Sequence, residues 1–596
     1  MRTHKNNELR KEDVDKDVTL NGWVHTRRDH GGIIFIDVRD RYGFTQLVFD
    51  PEYNDKFMKD ADTLRREDCI QIKGKVQARK EGMSNPNLET GDVEVFVDEL
   101  NIINKSEVPP LEVEDRIEAS EDLRLKYRFL DLRRPMMQKR LLFRHNVTKS
   151  VRDFFNKNDF MEIETPLLVK STPEGARDYV VPSRVSPGMF YALPQSPQLY
   201  KQMLMISGCD RYYQLARCLR DEDLRTDRQP EHTQIDFEMS FVTADEIREY
   251  AEKMIQHVFK ENLNVDIKLP FTRLTYADSM SKYGTDKPDL RFGLELTDVS
   301  DIVVKSEFGV FKDIASSEDG LIKCINPEKE LGRKDIDSYI EFCQQNGAKG
   351  LAWMRVTENG LESNIAKFFP ENVQKELIEK TGAKPGSILM FIADETKKCN
   401  FVLSRLRNKL AKDLKLYDEK GFEFCWVYDF PLFAWNKENA TWEPEHHIFS
   451  MPKPEFVDDF EKRPNETLGD LWDLVLNGTE MSSGSVRVTD PQLQARMLNF
   501  IGMSPEEAED KFGFLLNAYK YGGPNHGGMG IGVDRLVAMM HQIVDIREFI
   551  AFPKNKNAEC PMDDSPNKIE ELQMKELHLK YDEVAEKNLK KKTSKE

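Results

Sequence analysis

The eight cysteines of this 596-residue chain include no CxxC pair, so neither a disulfide scaffold nor the usual zinc spacings are indicated. No apolar run approaches the roughly 18–20 residues of a membrane span. The opening Met1-Arg2-Thr3-His4-Lys5-Asn6-Asn7 has no apolar core behind its charges, which argues against a signal peptide. The cytoplasm is the expected location, with no membrane partner. A P-loop G-x-x-x-x-G-K-[ST] is absent. Gly528-Met529-Gly530-Ile531-Gly532 has the wrong spacing for a dinucleotide fingerprint and no βαβ unit of about 30 residues around it. There is no internal repeat. Basic charge is also in deficit: the net charge is −18, which points away from nucleic acid because phosphate contacts dominate such binding. Residues 116–144 nonetheless concentrate Arg116, Arg124, Lys126, Arg128, Arg133, Arg134, Lys139, Arg140 and Arg144. A polyanion can meet a local basic surface on an acidic protein; on composition alone, a merely solvated face is equally open.

What is present is length enough for three or four domains. The first hundred residues read as strands at 18–25, 33–39, 44–49, 69–79 and 93–103, alternating or β-branched, with one helical stretch at 52–66. Five short strands with a helix after the third fit an OB-type β-barrel spanning 1–105. Such barrels bind single-stranded nucleic acid through basic and aromatic side chains; the candidates are Arg27, Arg28, Phe35, Gln46 and Phe49, with the core as the alternative place for both phenylalanines. A charged hinge with Pro109-Pro110 covers 106–140. A long helix is expected from Leu141, opening a mixed region at 141–287. Residues 288–420 change character to an α/β block poor in special residues, and 421–560 resume the earlier style with a strand at 423–430. The simplest account is an α/β domain inserted into an α+β one. Residues 561–596 form a C-terminal extension ending in a lysine-rich tail.

Three segments set arginine beside carboxylate. They are Arg217-Cys218-Leu219-Arg220-Asp221-Glu222-Asp223 continuing through Arg228-Gln229-Pro230-Glu231-His232-Thr233-Gln234-Ile235-Asp236-Phe237-Glu238, then Asn477-Gly478-Thr479-Glu480 through Arg487, and Gly528 through Asp534-Arg535-Leu536. The arginine fork binds two oxygens of a phosphate or carboxylate at once. Carboxylates suit magnesium, which prefers hard oxygens and substrate phosphate. A site with both would hold a nucleoside triphosphate; surface ion pairs are the alternative for any single pair. The glycines of the third segment would let a flat ligand lie against a strand before a helix at 534–543.

Taken together these segments resemble the class II aminoacyl-tRNA synthetases. The stretch Phe160-Met161-Glu162-Ile163-Glu164-Thr165-Pro166 looks like motif 1, 217–238 like motif 2 and 528–536 like motif 3. The closer resemblance, over nearly the whole chain, is to the bacterial-type aspartyl-tRNA synthetases. It is carried by Thr172-Pro173-Glu174-Gly175-Ala176-Arg177-Asp178-Tyr179, by Gln195-Ser196-Pro197-Gln198-Leu199-Tyr200-Lys201-Gln202, by Arg220-Asp221-Glu222-Asp223-Leu224-Arg225 and by Ala551-Phe552-Pro553-Lys554. It implies an antiparallel-sheet catalytic domain, a homodimer built through motif 1, and the barrel as anticodon-binding domain.

The reaction it implies joins L-aspartate to the 3′ end of tRNA-Asp through an aspartyl-adenylate, with ATP as substrate and Mg2+ as cofactor. Arg220, Glu222 and Arg535 would be catalytic. Aspartate would meet Glu174, Ser196, Gln198, Lys201, Arg220, Asp236, His446 and Arg487, with Lys201 and Arg487 neutralising its side-chain carboxylate and Asp236 and Glu174 its ammonium. ATP would meet Arg220, Asp221, Glu222, Gln229, His232, Glu480, Gly532, Val533, Asp534 and Arg535. Asp473 and Glu480, seven apart on an expected helix, resemble the family's magnesium ligands. His232 departs from the pattern: it stands where an aromatic ring, often phenylalanine, stacks on adenine. Arg27, Arg28, His30, Phe35, Gln46 and Gly82 would face the anticodon. A histidine and a flexible glycine at such places resemble the relaxed type that also accepts tRNA-Asn, whereas simple turn-shaping is the plainer reading. The rival readings are an asparagine- or lysine-specific synthetase of the same subclass, and a non-catalytic nucleic-acid-binding protein on a synthetase-like scaffold.

Overall fold

The computed structural model describes residues 1–172 and 176–593, with side chains to 589. By packing, the chain divides into residues 1–145 with 547–568, and residues 146–546 with 569–596.

In the first unit, β1 (Asp17–His30), β2 (Ile33–Arg39), β3 (Phe44–Phe49), β4 (Cys69–Ala78) and β5 (Val93–Asn104) close into a barrel in the order β1-β2-β3-β5-β4. Strand alternation sends Val18, Leu20, Ile34, Ile36, Ile70, Ile72, Val93 and Val95 into one core, with Phe49 among them. Helix forms only at Met58–Thr63, not over 52–66. The Asn54 side chain donates to the carbonyls of Val97 and Asp98, and this bond holds the preceding stretch as a turn. The arginines of 116–144 do not make a free basic surface. Arg124, Arg128 and Arg134 converge on Asp131, Arg140 and Arg124 reach Glu548, and Arg133 bonds Glu67 at 2.9 Å. Arg128 also donates to the carbonyls of Ile550 and Ala551. Most of that charge is spent on internal fastening.

The second unit begins within the helix Pro135–Lys157, which starts six residues before the expected Leu141. Its strands are β6 (Met161–Glu162), β7 (Val180–Pro182), β8 (Phe190–Ala192), β9 (Arg211–Leu219), β10 (Glu231–Ser240), β11 (Thr272–Thr275), β12 (Leu296–Asp298), β13 (Gly320–Ile325), β14 (Ala352–Thr357), β15 (Gly360–Glu362), β16 (Ile388–Glu395), β17 (Phe424–Tyr428), β18 (Phe433–Asn436), β19 (Thr441–Pro444), β20 (Leu471–Leu476), β21 (Thr479–Val486) and β22 (His526–Gly532). Eight of them form one sheet, β11-β17-β20-β21-β22-β10-β9-β6, antiparallel inside and parallel at its two end pairs. The chain leaves this sheet at β11 and re-enters beside it at β17. Between them β12–β16 make a separate five-stranded sheet, with Met390 and Ile392 packed to one side and Leu389 and Phe391 to the other. No described helix is long and apolar enough to cross a membrane.

Candidate active site

The register of the eight-stranded sheet builds the site. Asp236 on β10 lies opposite Gln214 on β9 and Gly530 on β22; Gly530 lies opposite Ser483 on β21, and Ser483 opposite Asp473 on β20. Two residues along, Glu238 is opposite Gly528, and Gly528 opposite Ser485. A period of two puts Gln234, Asp236 and Glu238 on one face. The glycines serve that row first. A Cβ on Gly530 would fall 1.7 Å from Gln234 Nε2, and one on Gly528 would fall 2.3 Å from Glu238 Oε2. They make room for the side chains of β10, where the sequence suggested room for a flat ligand.

At one end of this face four charges are sealed from water. Lys201 Nζ, from the helix Gln198–Ile206, lies 2.8 Å from Asp236 Oδ1 and 3.1 Å from Glu238 Oε2. Arg487 donates to Glu238 through Nε at 2.8 Å and Nη2 at 3.1 Å, and to Ser485 Oγ at 2.7 Å. Burial pushes the Asp236 carboxyl up to about 6 against the pull of Lys201. Burial also raises Glu238, but Arg487 and Lys201 outweigh it and hold that carboxyl at about 2. Two cations and two carboxylates thus form a neutral tetrad. Glu238 was not singled out from the sequence, although its place two residues beyond Asp236 on a strand is the signal that finds it. Gln198 Nε2 is buried without a partner. His446 packs edge-on against Phe430 at 4.7 Å, whereas its neighbour His447 accepts from Arg487 Nη1 at 3.3 Å. Burial holds His447 well below the ordinary imidazole range, as an acceptor requires. Ser196 lines a separate, mostly apolar cavity of about 250 Å³ with Gln195 and Asp178. Glu174 lies outside the described residues.

Beside the tetrad opens a cavity of about 590 Å³ whose wall includes Arg220, Glu222, Gln229, His232, Glu480, Gly532, Asp534 and Arg535. Asp221 and Val533 are not on it. Asp221 bonds the Arg177 carbonyl through its backbone, and Val533 is fully buried at the start of the helix Val533–Met540, which is shorter than the 534–543 expected. Arg535 donates to the Glu480 carbonyl at 2.6 Å and to Asp227 at 3.2 Å; Asp534 accepts from the Thr233 amide. Glu222 pairs with Arg228 at 2.9 Å. Burial, then Arg220, lowers His232 to about 4, so its ring is neutral at pH 7. The Nε atoms of Arg220 and Arg535, Ser482 Oγ and Asp473 Oδ1 are buried with no hydrogen-bond partner. Such atoms are rare in native proteins, and their gathering in and around one cavity suits a polar ligand.

Asp473 and Glu480 do not share a helix. They stand on β20 and β21, the arms of a hairpin turned by Asn477 and Gly478 at φ of 50° and 81°. Burial, then Glu480, raises the Asp473 carboxyl well above its ordinary range. Lys287, which is not among the residues singled out from the sequence, reaches Glu480 at 2.7 Å. Among the described residues no group of three or more His, Cys, Asp or Glu side chains is arranged to hold a metal. Two carboxylates, one with an unbonded oxygen, fit an ion that takes its remaining ligands from phosphate and water.

On the barrel, Arg28 bonds Asp37 at 3.0 Å and Gln46 at 3.3 Å, and Gln46 bonds Glu94 at 2.8 Å. Half-buried Phe35 lies opposite Arg28 in the register, with the exposed His30 ring 6.0 Å from it. Arg27 pairs with Asp62, and Gly82 sits exposed with nothing within 4 Å of where its Cβ would be.

Residues 120–556 match the family model "tRNA synthetases class II (D, K and N)", and residues 18–103 match "OB-fold nucleic acid binding domain". The chain is 50% identical over 583 residues to the aspartate–tRNA(Asp/Asn) ligase of Thermoanaerobacter sp. (strain X514), covering 98% of each chain. It is 48% identical over 576 residues to the protein of that name from Treponema denticola, covering 96% of this chain and 97% of that one. Its fold is similar to that of asparaginyl-tRNA synthetase from Pyrococcus horikoshii complexed with asparaginyl-adenylate, at a TM-score of 0.57 and 19% identity over 92% of this chain and 96% of that one. Aspartyl tRNA synthetase from Entamoeba histolytica matches at 0.56 and 18% over 93% and 91%.

Proposed function

The chain belongs to the class II tRNA synthetases of the aspartate, lysine and asparagine group, and from that premise we propose that it ligates L-aspartate to the 3′ end of tRNA at the expense of ATP. The observation that carries the choice of amino acid is the sealed, neutral tetrad of Lys201, Arg487, Asp236 and Glu238. Bound aspartate would set its ammonium on Asp236 and its side-chain carboxylate on Lys201 and Arg487, so the buried charges still cancel. Asparagine would leave one buried positive charge uncompensated and lysine two, a penalty that discriminates strongly. Gln198 sits on the same helix as Lys201 with a buried, unpartnered Nε2, whereas Ser196 and Glu174 are assigned by resemblance alone.

In the first step the aspartate α-carboxylate attacks the α-phosphorus of ATP; the new P–O bond forms as the bond to the β-phosphate oxygen breaks and pyrophosphate leaves with the electron pair. In the second, the terminal ribose hydroxyl of tRNA attacks the aspartyl-adenylate carbonyl and AMP departs. Catalysis is positioning and charge neutralisation. Arg220, whose Nε is unbonded, would meet the reacting phosphate, Arg535 on the same cavity would hold the nucleotide, and neutral His232 would offer a flat surface to the base. Asp473 and Glu480 would hold Mg2+, which when bound supplies charge neutralisation for the phosphates.

Met161 on the motif 1 segment and Leu167 and Leu168 directly after it are each 51% exposed, which supports a homodimer through that surface, measurable by sedimentation. The cytoplasm is the proposed site of action. The tRNA partner is tRNA-Asp and, by relaxed reading at His30 and Gly82, also tRNA-Asn; the relatives' names carry the same pair. Aminoacylation of both transcripts tests this, and a preference for tRNA-Asp beyond about a thousandfold exceeds what one tolerated base costs and would mean a discriminating enzyme. Pyrophosphate exchange with single amino acids tests the rest. Exchange with aspartate alone is expected; exchange with asparagine or lysine would overturn the amino-acid assignment, and none with any amino acid would mean a non-catalytic protein.

A further inference from the structure

Lys287 stands in the nucleotide cavity yet comes from the connection between β11 and the inserted sheet, far in sequence from every segment that builds the cavity's other walls. Its ammonium lies 2.7 Å from Glu480 and 3.9 Å from Asp286. The pair with Glu480 is about one-third exposed on either side, so it exchanges partners at small cost. Beneath it, Asp473 keeps one oxygen unbonded.

The backbone that carries Lys287 is fixed with unusual thoroughness. Arg407, from the helix Thr396–Asp413 of the inserted region, donates to the carbonyls of Asp289, Phe292, Gly293 and Leu294. Its guanidinium lies 4.1 Å from the Phe292 ring and 4.7 Å from that of Tyr283. Asp289 binds Arg291 through both carboxylate oxygens and touches the hairpin turn at Gly478, where an added Cβ would stand 3.3 Å from Asp289 Cβ. The root of Lys287 and the turn that carries Glu480 are therefore braced against each other, while the lysine side chain itself remains movable. A braced backbone, a movable ammonium and a cavity that must take in four negative charges belong together.

Resting on the reading of this cavity as the ATP site, we propose that Lys287 is a polyphosphate-binding residue: its ammonium stands on Glu480 while the cavity is empty and turns to the β- and γ-phosphates when ATP enters. Glu480 is then released to the incoming cation. The same ammonium would face the pyrophosphate as it leaves. AMP, which lacks those phosphates, has nothing for Lys287 to bind. The inserted region, through Arg407, would be what keeps this lysine aimed at the site.

Calorimetric titration of the full-length protein with ATP and with AMP, at fixed magnesium, tests the assignment in Lys287→Met and Lys287→Arg. In Lys287→Met the dissociation constant for ATP should rise roughly 10- to 100-fold, the worth of a lost charged hydrogen bond, while that for AMP stays within threefold. Lys287→Arg should recover most of the ATP affinity. The KM for pyrophosphate in the exchange reaction should rise in step with the ATP dissociation constant. Equal shifts for ATP and AMP, or ATP binding unchanged in Lys287→Met, would overturn the proposal and leave Lys287 as a local counter-charge for Glu480. Failure of the unaltered protein to bind ATP would instead overturn the reading of the cavity itself.

Discussion

The proposed amino-acid and nucleotide subsites lie along a single sheet, yet they hold charge in opposite ways. Lys201, Arg487, Asp236 and Glu238 are each at most 3% exposed, and every cation touches a carboxylate. In the neighbouring cavity, Lys287 with Glu480 and Arg535 with Asp227 are a quarter to two-fifths exposed. Buried pairs break only at large cost, and that stiffness suits the choice of one amino acid among twenty. Half-exposed pairs re-form cheaply, which suits a site that admits a triphosphate and expels pyrophosphate at every turnover. On the proposed assignment, selectivity and traffic are divided between two electrostatic regimes some strands apart.

The contrast is broken most forcefully at Arg487. Arg487→Leu leaves Lys201 as the one cation facing the Asp236 and Glu238 carboxylates in the sealed pocket and should cost about 3–5 kcal/mol. Aspartate-dependent exchange should nearly vanish while ATP still binds within threefold of the parent. Adding Glu238→Gln should restore much of the melting temperature without restoring activity; aspartate affinity within threefold of the parent in Arg487→Leu would refute the charge-matching account. Proton titration gives the next effect. Asp236 must be ionised to hold an ammonium, and burial places its carboxyl near 6. Aspartate affinity should therefore be flat above that pH and fall about tenfold per unit below it. In Asp236→Asn the dependence should disappear, leaving weak, pH-independent binding.

Two smaller effects sharpen the comparison from outside the tetrad. Arg28→Ala removes an exposed barrel contact and should raise the KM for tRNA about tenfold with exchange unchanged, as expected for roughly 1.4 kcal/mol of nucleic-acid contact. His232→Phe should tighten ATP about threefold by enlarging the stacking surface, measured by calorimetry. Weaker ATP binding in that variant would mean that the imidazole hydrogen-bonds the nucleotide instead of stacking on it.

How much could be read beforehand varies with the range of the interaction. The barrel strands were legible because alternation in 18–25 and 33–39 is a local pattern with one buried face, and the motif-like segments carried their own arginines and carboxylates. The hairpin at Asp473 and Glu480 was missed although its signal lay in plain view: Asn477-Gly478 between apolar runs is a strong two-residue turn sequence, and it outweighs a seven-residue spacing that imitates a helix. His446 and His447 are adjacent, and only tertiary packing turns one toward Phe430 and the other toward Arg487. Lys287 and Asp227 look like ordinary surface charges in the sequence, since the partners that give them meaning lie roughly two to three hundred residues away. For the basic stretch at 116–144 the sequence left a nucleic-acid surface and a solvated face equally open; Asp131, the partner of Arg124, Arg128 and Arg134, lies within the stretch, whereas Glu548, the partner of Arg124 and Arg140, is more than four hundred residues distant.

The clash distances at Gly530 carry a lesson for redesign. Because the Gln234 side chain occupies the volume where a methyl group at position 530 would stand, the two positions form a single variable. Alanine at 530 would displace the Gln234 amide, which lines the same cavity, while trimming Gln234 alone would leave a hole in the cavity wall. A library that randomises either position by itself should yield mostly failures; one that couples them, with a larger side chain at 530 only where 234 is small, samples the combinations this sheet has room for.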